Sequence, residues 1–322
     1  MKNILLTSYY SDAPLEILLS EIGSEFNLIR PLFEGDNKTI FNNVAYADYV
    51  IASGRFKIDA AFLAKASNLK MIQRTGVGLD SLDLDGIRER NIPLYVNAGI
   101  NAESVSELAL LLILSSLRRL TLIDKNVKSG VWNKQGQGIK THELNNKTIG
   151  IVGVGNIGKR LASMLAPFDS TLLYFDLRRL PLAEEEKYRL HYASLNELFS
   201  QSDIISLHCP LNPQTANIIN KESISLMKDG VILVNTARGG LINTTDLISA
   251  LKCGKFSFAG LDVYDQEPVC NEELLALENV ITTPHIGGIT YESFSAMMHG
   301  AIQNIREFDK GNLEAIQKYR YE

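Results

Sequence analysis

The chain has 322 residues, which exceeds one typical domain and predicts two. Its composition, 45% hydrophobic and 21% charged residues, is ordinary for a soluble globular enzyme. The formal net charge of −5 offers no attraction for a polyanion, so neither nucleic acid nor an anionic membrane is expected as a partner.

Cysteine usage and the first residues bear on the compartment. Cys209, Cys253 and Cys270 are odd in number and lack CxxC spacing, so neither a disulfide framework nor a zinc site is indicated. The start of the chain has no signal-peptide cleavage pattern, and its most apolar stretch, residues 108–114, is too short to span a bilayer. We therefore expect a cytoplasmic protein without a metal.

The first part of the chain alternates strand and helix. Strands are predicted over 3–7, 49–52, 70–74 and 93–96, and helices over 15–21, 60–66 and 82–90. This alternation predicts a complete parallel sheet flanked by helices.

Glycines in RTGVGLD, residues 74–80, either offer amides to an anion or form a tight turn. Residues 104–120 are apolar almost all round, which predicts a helix buried between domains or subunits.

A glycine motif follows. Residues 149–152 predict a buried strand that leads into Gly153, Gly155 and Gly158, and helix formers begin at Lys159. Glycines at these offsets allow a sharp turn, close approach to a pyrophosphate, and close packing of helix on sheet. The phosphates would then lie at the helix N-terminus.

Asp176 ends the next predicted strand, residues 171–175, and is suited to accept the two ribose hydroxyls of an adenosine. Arg178 and Arg179 follow it and could instead bind the 2′-phosphate of NADP. Because a carboxylate repels that phosphate, NAD is the favoured cofactor.

Strand and helix signals continue to the end of the chain. Strands are predicted over 191–193, 203–207, 231–235, 258–263 and 280–282, and helices over 195–200, 221–227, 245–252 and 291–308. The pattern predicts a second doubly wound parallel sheet. Ser194 and Glu197 have capping-box spacing before one of these helices.

Three polar residues follow strands of this second sheet, where ligands of open α/β sheets bind: Arg238, Glu267 and His285. A histidine can exchange a proton near neutral pH, a glutamate can fix its tautomer, and an arginine can hold a carboxylate. The alternatives are a surface ion-pair partner, a solvated loop acid and a helix cap. His208 and Cys209, before Pro210, are expected to line the cofactor pocket rather than to react.

Seven motifs together resemble the D-isomer-specific 2-hydroxyacid dehydrogenase family. They are RTGVGLDSLD (74–83), NAESVSELAL (101–110), GVGNIG (153–158), HCPLNPQT (208–215), NTARGG (235–240), GLDVYDQEP (260–268) and PHIGG (284–288). The resemblance implies two Rossmann-like domains: a substrate domain of residues 1–98 plus 287–322, and an NAD-binding domain of residues 99–286 inserted into it. It also implies a homodimer formed through the NAD-binding domains.

The resemblance assigns site residues in three groups. Catalytic roles fall on Arg238, Glu267 and His285. Cofactor contacts fall on Gly153, Gly155, Asn156, Ile157, Gly158, Asp176, His208, Cys209, Pro210, Thr215, Thr236, Ala237, Arg238, Asp262, His285 and Gly287. Substrate contacts fall on Arg55, Thr75, Gly76, Val77, Gly78, Arg238 and His285.

The expected activity is interconversion of a small D-2-hydroxy acid and its 2-oxo acid with NAD, as in glyoxylate or hydroxypyruvate reductases or D-3-phosphoglycerate dehydrogenase. Phosphoglycerate dehydrogenases commonly carry Arg-Ser where this chain has Ser53-Gly54 and an arginine only at Arg55, so the substrate stays open. The alternatives are a non-enzymatic NADH-sensing corepressor and an oxidoreductase acting on phosphite. Corepressors carry long tails, which this chain lacks, and that difference favours the enzyme.

Overall fold

The computed structural model describes residues 1–54, 56–76 and 78–321. Its strands are β1 (Lys2–Leu6), β2 (Phe26–Ile29), β3 (Tyr49–Ala52), β4 (Met71–Arg74), β5 (Leu94–Val96), β6 (Thr148–Val152), β7 (Thr171–Phe175), β8 (Leu190–Tyr192), β9 (Ile204–Leu207), β10 (Val231–Asn235), β11 (Phe256–Leu261), β12 (Val280–Thr282) and β13 (Arg320–Tyr321).

Its α-helices are α1 (Asp12–Ile22), α2 (Asn37–Asn43), α3 (Ala60–Lys65), α4 (Leu84–Glu89), α5 (Ala102–Arg118), α6 (Leu120–Lys128), α7 (Lys134–Gly138), α8 (Asn156–Leu165), α9 (Leu182–Tyr188), α10 (Leu195–Gln201), α11 (Lys221–Leu226), α12 (Thr244–Lys252), α13 (Glu272–Leu275), α14 (Tyr291–Asp309) and α15 (Leu313–Ile316). None of the helices in the described ranges is both long enough and apolar enough to cross a membrane.

Two compact units divide the chain. The first comprises residues 1–101 and 289–322, and the second comprises residues 102–288. The first unit is built on a sheet of order β13-β5-β4-β3-β1-β2. Among its described residues only β13 pairs antiparallel, with β5. Because β1 pairs with both β2 and β3, the strand order reverses at β1, where loops on opposite sides of the sheet diverge.

The inner strands β1 and β3 of the first unit carry buried apolar residues on both faces, which is why they appear in the sequence as continuous apolar runs. Ile4 and Leu6 of β1 face a core that includes Met298 and Ile302 of α14. Leu5 points to the other side and joins the core with Phe62 of α3. Helices therefore cover the sheet on both faces, and the long helix α14 near the end of the chain is part of the first unit's core.

The second unit is built on an all-parallel sheet of order β12-β11-β10-β9-β6-β7-β8. Its order reverses at β6, which pairs with β7 on one side and β9 on the other. Helix α5 covers one face of this sheet so closely that a Cβ on Gly260 of β11 would lie 2.9 Å from the Cβ of Leu112. The crevice outside the carboxyl ends of β6 and β9 is the expected place for a ligand.

The predicted fold class, two Rossmann-like parallel sheets, is confirmed. Predicted bounds match the strands β3, β7, β10 and β12, and the capping box of Ser194 and Glu197 forms. The strand predicted over 258–263 begins and ends two residues earlier, as β11. The helix predicted over 104–120 is α5, which ends at Arg118 because Arg119 adopts a left-handed φ of 51°. Leu111 on this helix is 54% exposed in the single chain, so its burial between subunits stays a prediction.

Sequence patterns missed several short elements. Helix α6 buries none of its residues, so it has no apolar face for periodicity to detect. The strand β13 has two exposed residues and exists only through pairing with β5. The other elements that were not predicted are β2, α2, α7, α9, α13 and α15.

A buried amide network joins the two chain segments of the first unit. The Asn304 side chain on α14 donates to the Gln73 Oε1 atom on β4 (3.0 Å), and Gln73 Nε2 donates to Asn97 Oδ1 (3.2 Å). The Asn97 amide in turn donates to the Met297 carbonyl (2.9 Å). Each of these buried amides thus hydrogen-bonds to the next group, which offsets the free-energy cost of removing them from water.

Replacing Asn304 by Leu should destabilise the first unit. The change leaves the Gln73 carbonyl oxygen buried without this donor, which costs about 2 kcal/mol of unfolding free energy. Urea unfolding followed by circular dichroism measures the loss. Asn68→Ala serves as the control because the Asn68 amide donates to the Ala45 carbonyl at an exposed position. Equal stability of the two variants would contradict a role for the network.

Candidate active site

The glycine turn after β6 is held by backbone packing at two of its three glycines. Gly153 has a φ of 94°, and a Cβ there would lie 2.6 Å from the Cys209 nitrogen. A Cβ on Gly158 would lie 2.2 Å from the Gly153 carbonyl oxygen. Gly155, just before α8, is different, because a Cβ there would meet no protein atom within 4 Å.

That open space lies before the N-terminus of a ten-residue helix, whose first residues are Asn156 and Ile157. The helix dipole and the unpaired N–H groups of its first turn attract anions. Nothing in the protein's own packing requires a glycine at 155, whereas a pyrophosphate approaching the backbone does. The turn therefore fits a dinucleotide.

Asp176 follows β7, next to this turn. Its Oδ2 atom accepts a hydrogen bond from the Val154 backbone nitrogen (2.9 Å), which ties the carboxylate to the glycine turn. The side chain is only partly buried. An acid held beside the phosphate turn matches the position that accepts the hydroxyls of an adenosine ribose.

The loop after β9 forms the other wall of the crevice. Burial lowers the pKa of His208 to about 4, so its ring is neutral at physiological pH, and its Nε2 atom lies 2.8 Å from the Ser206 hydroxyl oxygen. Burial also raises the pKa of the Cys209 thiol to about 11, which keeps it protonated. The Thr215 hydroxyl closes the loop by donating to the Pro210 carbonyl (2.6 Å). Neither His208 nor Cys209 is poised for proton transfer or nucleophilic attack.

Arg238 follows β10 in a backbone segment that its neighbours hold in place. The buried Asn235 side chain accepts from the Ala237 nitrogen (3.0 Å) and donates to the Arg238 carbonyl (2.8 Å). The Arg238 guanidinium also donates to the Ala237 carbonyl (2.7 Å). A Cβ on Gly239 would lie 1.9 Å from the Tyr264 carbonyl carbon, so only glycine permits this approach to the neighbouring loop.

Glu267 and His285 form a hydrogen-bonded pair. The Nδ1 atom of His285 lies 2.8 Å from Glu267 Oε2, and Glu267 Oε1 accepts from the Tyr264 nitrogen (3.1 Å). A carboxylate can only accept, so Nδ1 donates and Nε2 is the basic nitrogen of the neutral ring. The glutamate side chain is 16% exposed and the histidine side chain 41% exposed. The mostly buried glutamate therefore fixes the orientation of the histidine, and the histidine ring remains accessible to a ligand.

Asp262, at the end of β11, holds the loop that carries His285. Its buried carboxylate accepts from the Thr283 hydroxyl (2.6 Å) and from the backbone nitrogens of Ile286 (2.9 Å) and Gly287 (2.8 Å). His285 itself has a left-handed φ of 59°, which is strained for a residue with a Cβ. These hydrogen bonds help to compensate for that strain.

The predicted substrate residues Thr75, Gly76 and Gly78 lie in the first unit, in the loop after β4. Thr75 is buried, and its nitrogen donates to the Ala52 carbonyl (3.2 Å). Arg55 and Val77 lie outside the described residues. Thr236, a predicted cofactor contact, is buried, and its hydroxyl has no hydrogen-bond partner within the described ranges.

Three residues that organise these loops were not singled out from the sequence. Asn235 fixes the Arg238 backbone, as described above. The Tyr264 hydroxyl lies within hydrogen-bond distance of two carbonyls, those of Leu261 (3.1 Å) and Thr283 (3.0 Å), and its single proton is shared between these two strand ends. In the first unit the Arg74 guanidinium bonds to the carbonyls of Gly54 (3.3 Å) and Gly78 (2.8 Å). The sequence signal for each was only its position at the end of a strand.

Residues 110–287 match the family model of the NAD binding domain of D-isomer specific 2-hydroxyacid dehydrogenases. The chain belongs to this family, and it is therefore an NAD-dependent oxidoreductase. The predicted family, enzyme class and cofactor are confirmed. No cluster of three or more potential metal ligands occurs in the described part of the chain.

Named relatives agree with this assignment. A hydroxypyruvate reductase of Thermotoga maritima is 41% identical over 76% of this chain and 79% of its own length. A glyoxylate reductase of Thermococcus litoralis is 37% identical over 85% of this chain and 84% of its own length. The solved structure of D-lactate dehydrogenase from Aquifex aeolicus, complexed with NAD and lactic acid, covers 99% of this chain and 98% of its own with a TM-score of 0.87 at 30% identity.

Alanine substitutions at two glycines should separate folding from cofactor binding. Gly158→Ala forces backbone apart and should lower the melting temperature by several degrees, because a clash of this kind costs more than about 1 kcal/mol. Gly155→Ala meets no protein atom and should keep the melting temperature while weakening NADH binding at least ~10-fold. Thermal unfolding and NADH fluorescence titration measure the two effects. Unchanged NADH affinity in folded Gly155→Ala would show that the cofactor does not approach this glycine.

Proposed function

We propose that the enzyme reduces a small 2-oxo acid to its D-2-hydroxy acid with NADH, and that glyoxylate and hydroxypyruvate are its substrates. The observation that carries this proposal is the Glu267–His285 pair, oriented through Nδ1 and accessible at the ring. The named activities of the reductases from Thermotoga maritima and Thermococcus litoralis support the choice of substrates. The matched D-3-phosphoglycerate dehydrogenases are longer, and this chain covers 48% and 58% of two of them.

The cofactor would be held by the residues around the two strand ends at the crevice. Amides of Gly155, Asn156 and Ile157 would bind the pyrophosphate, and Asp176 would accept the ribose hydroxyls. The loop with His208, Cys209 and Pro210 would form an uncharged wall, since both titratable side chains keep their neutral forms there. When bound, the reduced nicotinamide supplies the hydride that adds to the carbonyl carbon.

His285 would supply the proton. As hydride addition turns the carbonyl oxygen into an alkoxide, protonated His285 gives its Nε2 proton to that oxygen and becomes neutral. Glu267 accepts the Nδ1 hydrogen before and after this transfer, so the ring does not change tautomer. In the oxidation direction the same Nε2 atom accepts the proton from the hydroxyl.

Arg238 would hold the substrate carboxylate. Its planar guanidinium offers parallel N–H donors that match a carboxylate, and its backbone is fixed by Asn235. It follows β10, the neighbour of β11 in the sheet, so it lies at the same carboxyl edge as the loops of Glu267 and His285. The roles of Thr75, Gly76 and Gly78 as further carboxylate contacts stay a prediction.

Oxidation of NADH by the purified protein, followed at 340 nm against glyoxylate, hydroxypyruvate, phosphohydroxypyruvate and pyruvate, tests the proposal. Replacing His285 by Ala should lower kcat at least ~100-fold through loss of the proton donor, with NADH affinity retained. His299→Ala is a matched control, because His299 also pairs with a glutamate, Glu21 (3.0 Å), on the first unit. Turnover at the wild-type rate by His285→Ala would refute the role of His285. Tight NADH binding by the unmodified protein without turnover of any acid would favour the alternative function, a non-enzymatic NADH-sensing corepressor.

We further propose that the enzyme is a homodimer formed through its second unit. Trp132 is 81% exposed and Ile139 is 83% exposed, on the segments beside α6 and α7. Further exposed apolar side chains on this unit are Leu111, Leu120, Val127 and Val131. All six residues lie within the segment 111–139. A concentration of exposed apolar side chains in one segment is what a protein interface would cover.

Replacing Trp132 by Asp should convert the dimer to a monomer, because a charge at a desolvated interface is costly. Size-exclusion chromatography with light scattering measures the mass. Tyr46→Asp is the control, since Tyr46 is 63% exposed on the first unit. A wild-type protein that runs as a 36-kDa monomer would contradict the proposal.

We also propose that the enzyme is located in the cytoplasm, and the cysteines support this location. All three cysteines are unpaired, and Cys253 and Cys270 are exposed. Exposed thiols stay reduced in the cytoplasm, whereas an oxidising compartment would drive them towards disulfides between molecules.

A further inference from the structure

Two arginines follow Asp176, and an arginine in this region is what NADP-binding sheets use for the 2′-phosphate. One of them is engaged elsewhere. The Nε atom of Arg179 donates to Glu185 Oε1 (2.9 Å), and its Nη2 atom donates to Glu185 Oε2 (3.0 Å). Two parallel charge-assisted hydrogen bonds of this kind are the strongest pairing that an arginine makes with a carboxylate.

Glu185 is itself held by the core of the second unit. It lies on α9 and is 8% exposed, and its Oε1 atom accepts from the Tyr174 hydroxyl on β7 (2.7 Å). The Tyr174 oxygen accepts in turn from the Leu180 nitrogen (2.8 Å). The carboxylate therefore has one position, and that position is set by a buried tyrosine rather than by solvent.

A ring contact holds the arginine from another side. The Arg179 guanidinium carbon lies 5.4 Å from the centre of the Tyr192 ring, within the range of a cation–π interaction. Tyr192 packs edge-on against Tyr174, with ring centres 5.4 Å apart. Glu185, Tyr174 and Tyr192 thus form a latch on Arg179.

We propose that Glu185 is a cofactor-specificity residue, which excludes NADP by withholding Arg179 from the 2′-phosphate. This inference rests on the proposed position of the adenosine ribose at Asp176. Asp176 repels the phosphate, and Glu185 removes the cation that would otherwise compensate for that repulsion. To reach the phosphate, Arg179 would have to break both hydrogen bonds and leave a poorly solvated carboxylate behind.

The charge state of the latch supports this role. The hydrogen bonds from Arg179 and then Tyr174 lower the pKa of Glu185 to about 2. Because the folded-state pKa is lowered, Glu185 is ionised at physiological pH and also in clearly more acidic solutions. The ionised form is the one that binds Arg179. The latch therefore stays closed across the pH range in which the enzyme would work.

Removing the charge of Glu185 should open the latch. In Glu185→Gln, NADPH should bind about tenfold more tightly than in the wild type, while the dissociation constant of NADH stays within about twofold. Glu186→Gln is the matched control, because Glu186 is the next residue on α9, is exposed and loses the same charge. Fluorescence titration of the purified full chain with NADH and NADPH gives both constants without any turnover, so it does not depend on which acid is reduced.

The double variant identifies the cation. Glu185→Gln with Arg179→Ala should return NADPH affinity to the wild-type value, whereas Glu185→Gln with Arg178→Ala should keep most of the gain. A gain that survives loss of Arg179, or one that Glu186→Gln reproduces, would overturn the proposal.

If Glu185→Gln does not fold, Arg179→Ala alone still decides. A withheld arginine contributes nothing to NADPH binding, so this variant should bind NADPH within about twofold of the wild type. A fivefold or greater loss of NADPH affinity in Arg179→Ala would show that Arg179 already reaches the phosphate, and the latch would be refuted.

Discussion

The buried carboxylate of Asp262 is the constraint on which the arrangement of the candidate active site depends. A desolvated carboxylate is costly unless its oxygens are hydrogen-bonded, and here the donors are Thr283, Ile286 and Gly287. The loop around His285 can meet this requirement in few conformations. His285 consequently adopts a backbone geometry that its Cβ disfavours, and its ring meets Glu267 at a fixed distance. The proton-transferring group proposed here is thus positioned by the protein before any ligand binds.

Close backbone approach is the second device that builds the site. Gly153 brings the turn after β6 against the loop after β9, and Gly239 brings the Arg238 segment against the loop after β11. Neighbouring loops of a parallel sheet leave the same edge, so removing Cβ atoms at these points lets loops that are distant in sequence touch. Gly155 differs, since the open space before it is consistent with a ligand rather than with protein packing.

The fold constrains the chemistry more than it constrains the substrate. The second unit provides an NAD-binding sheet with a histidine–glutamate pair at its carboxyl edge. The fold matches that of a D-lactate dehydrogenase at 30% sequence identity. Relatives named as hydroxypyruvate and glyoxylate reductases match the same chain at 41% and 37% sequence identity. Selection among 2-oxo acids must therefore depend on a few side chains in loops, which can change without disturbing the sheets.

The local sequence pattern was sufficient to predict most strands of the two sheets and to select the candidate site residues. Strands buried on both faces are short, continuous apolar runs, so β3, β7, β10 and β12 could be bounded from the sequence. The glycine turn and the residues after strand ends were found for the same reason, since strand, turn and helix follow each other directly. Arg238, Glu267 and His285 were chosen on this basis together with the family motifs, and their roles stay predictions.

Only the tertiary structure decided what those side chains contact. The sequence suggested only a cofactor contact for Asp262, which stays a prediction; the structure adds that its carboxylate accepts three hydrogen bonds from the loop of His285. Arg179 could be assigned to a phosphate from the sequence, and it pairs instead with Glu185, whose position depends on Tyr174 in another element. Helix α6, which buries no residue, and strand β13, which exists through pairing, left no periodic signal. Sequence by itself determined the fold class and the residues at the sheet edge, because both follow from neighbours along the chain. Side-chain partners depend on contacts between distant segments, which no local pattern encodes.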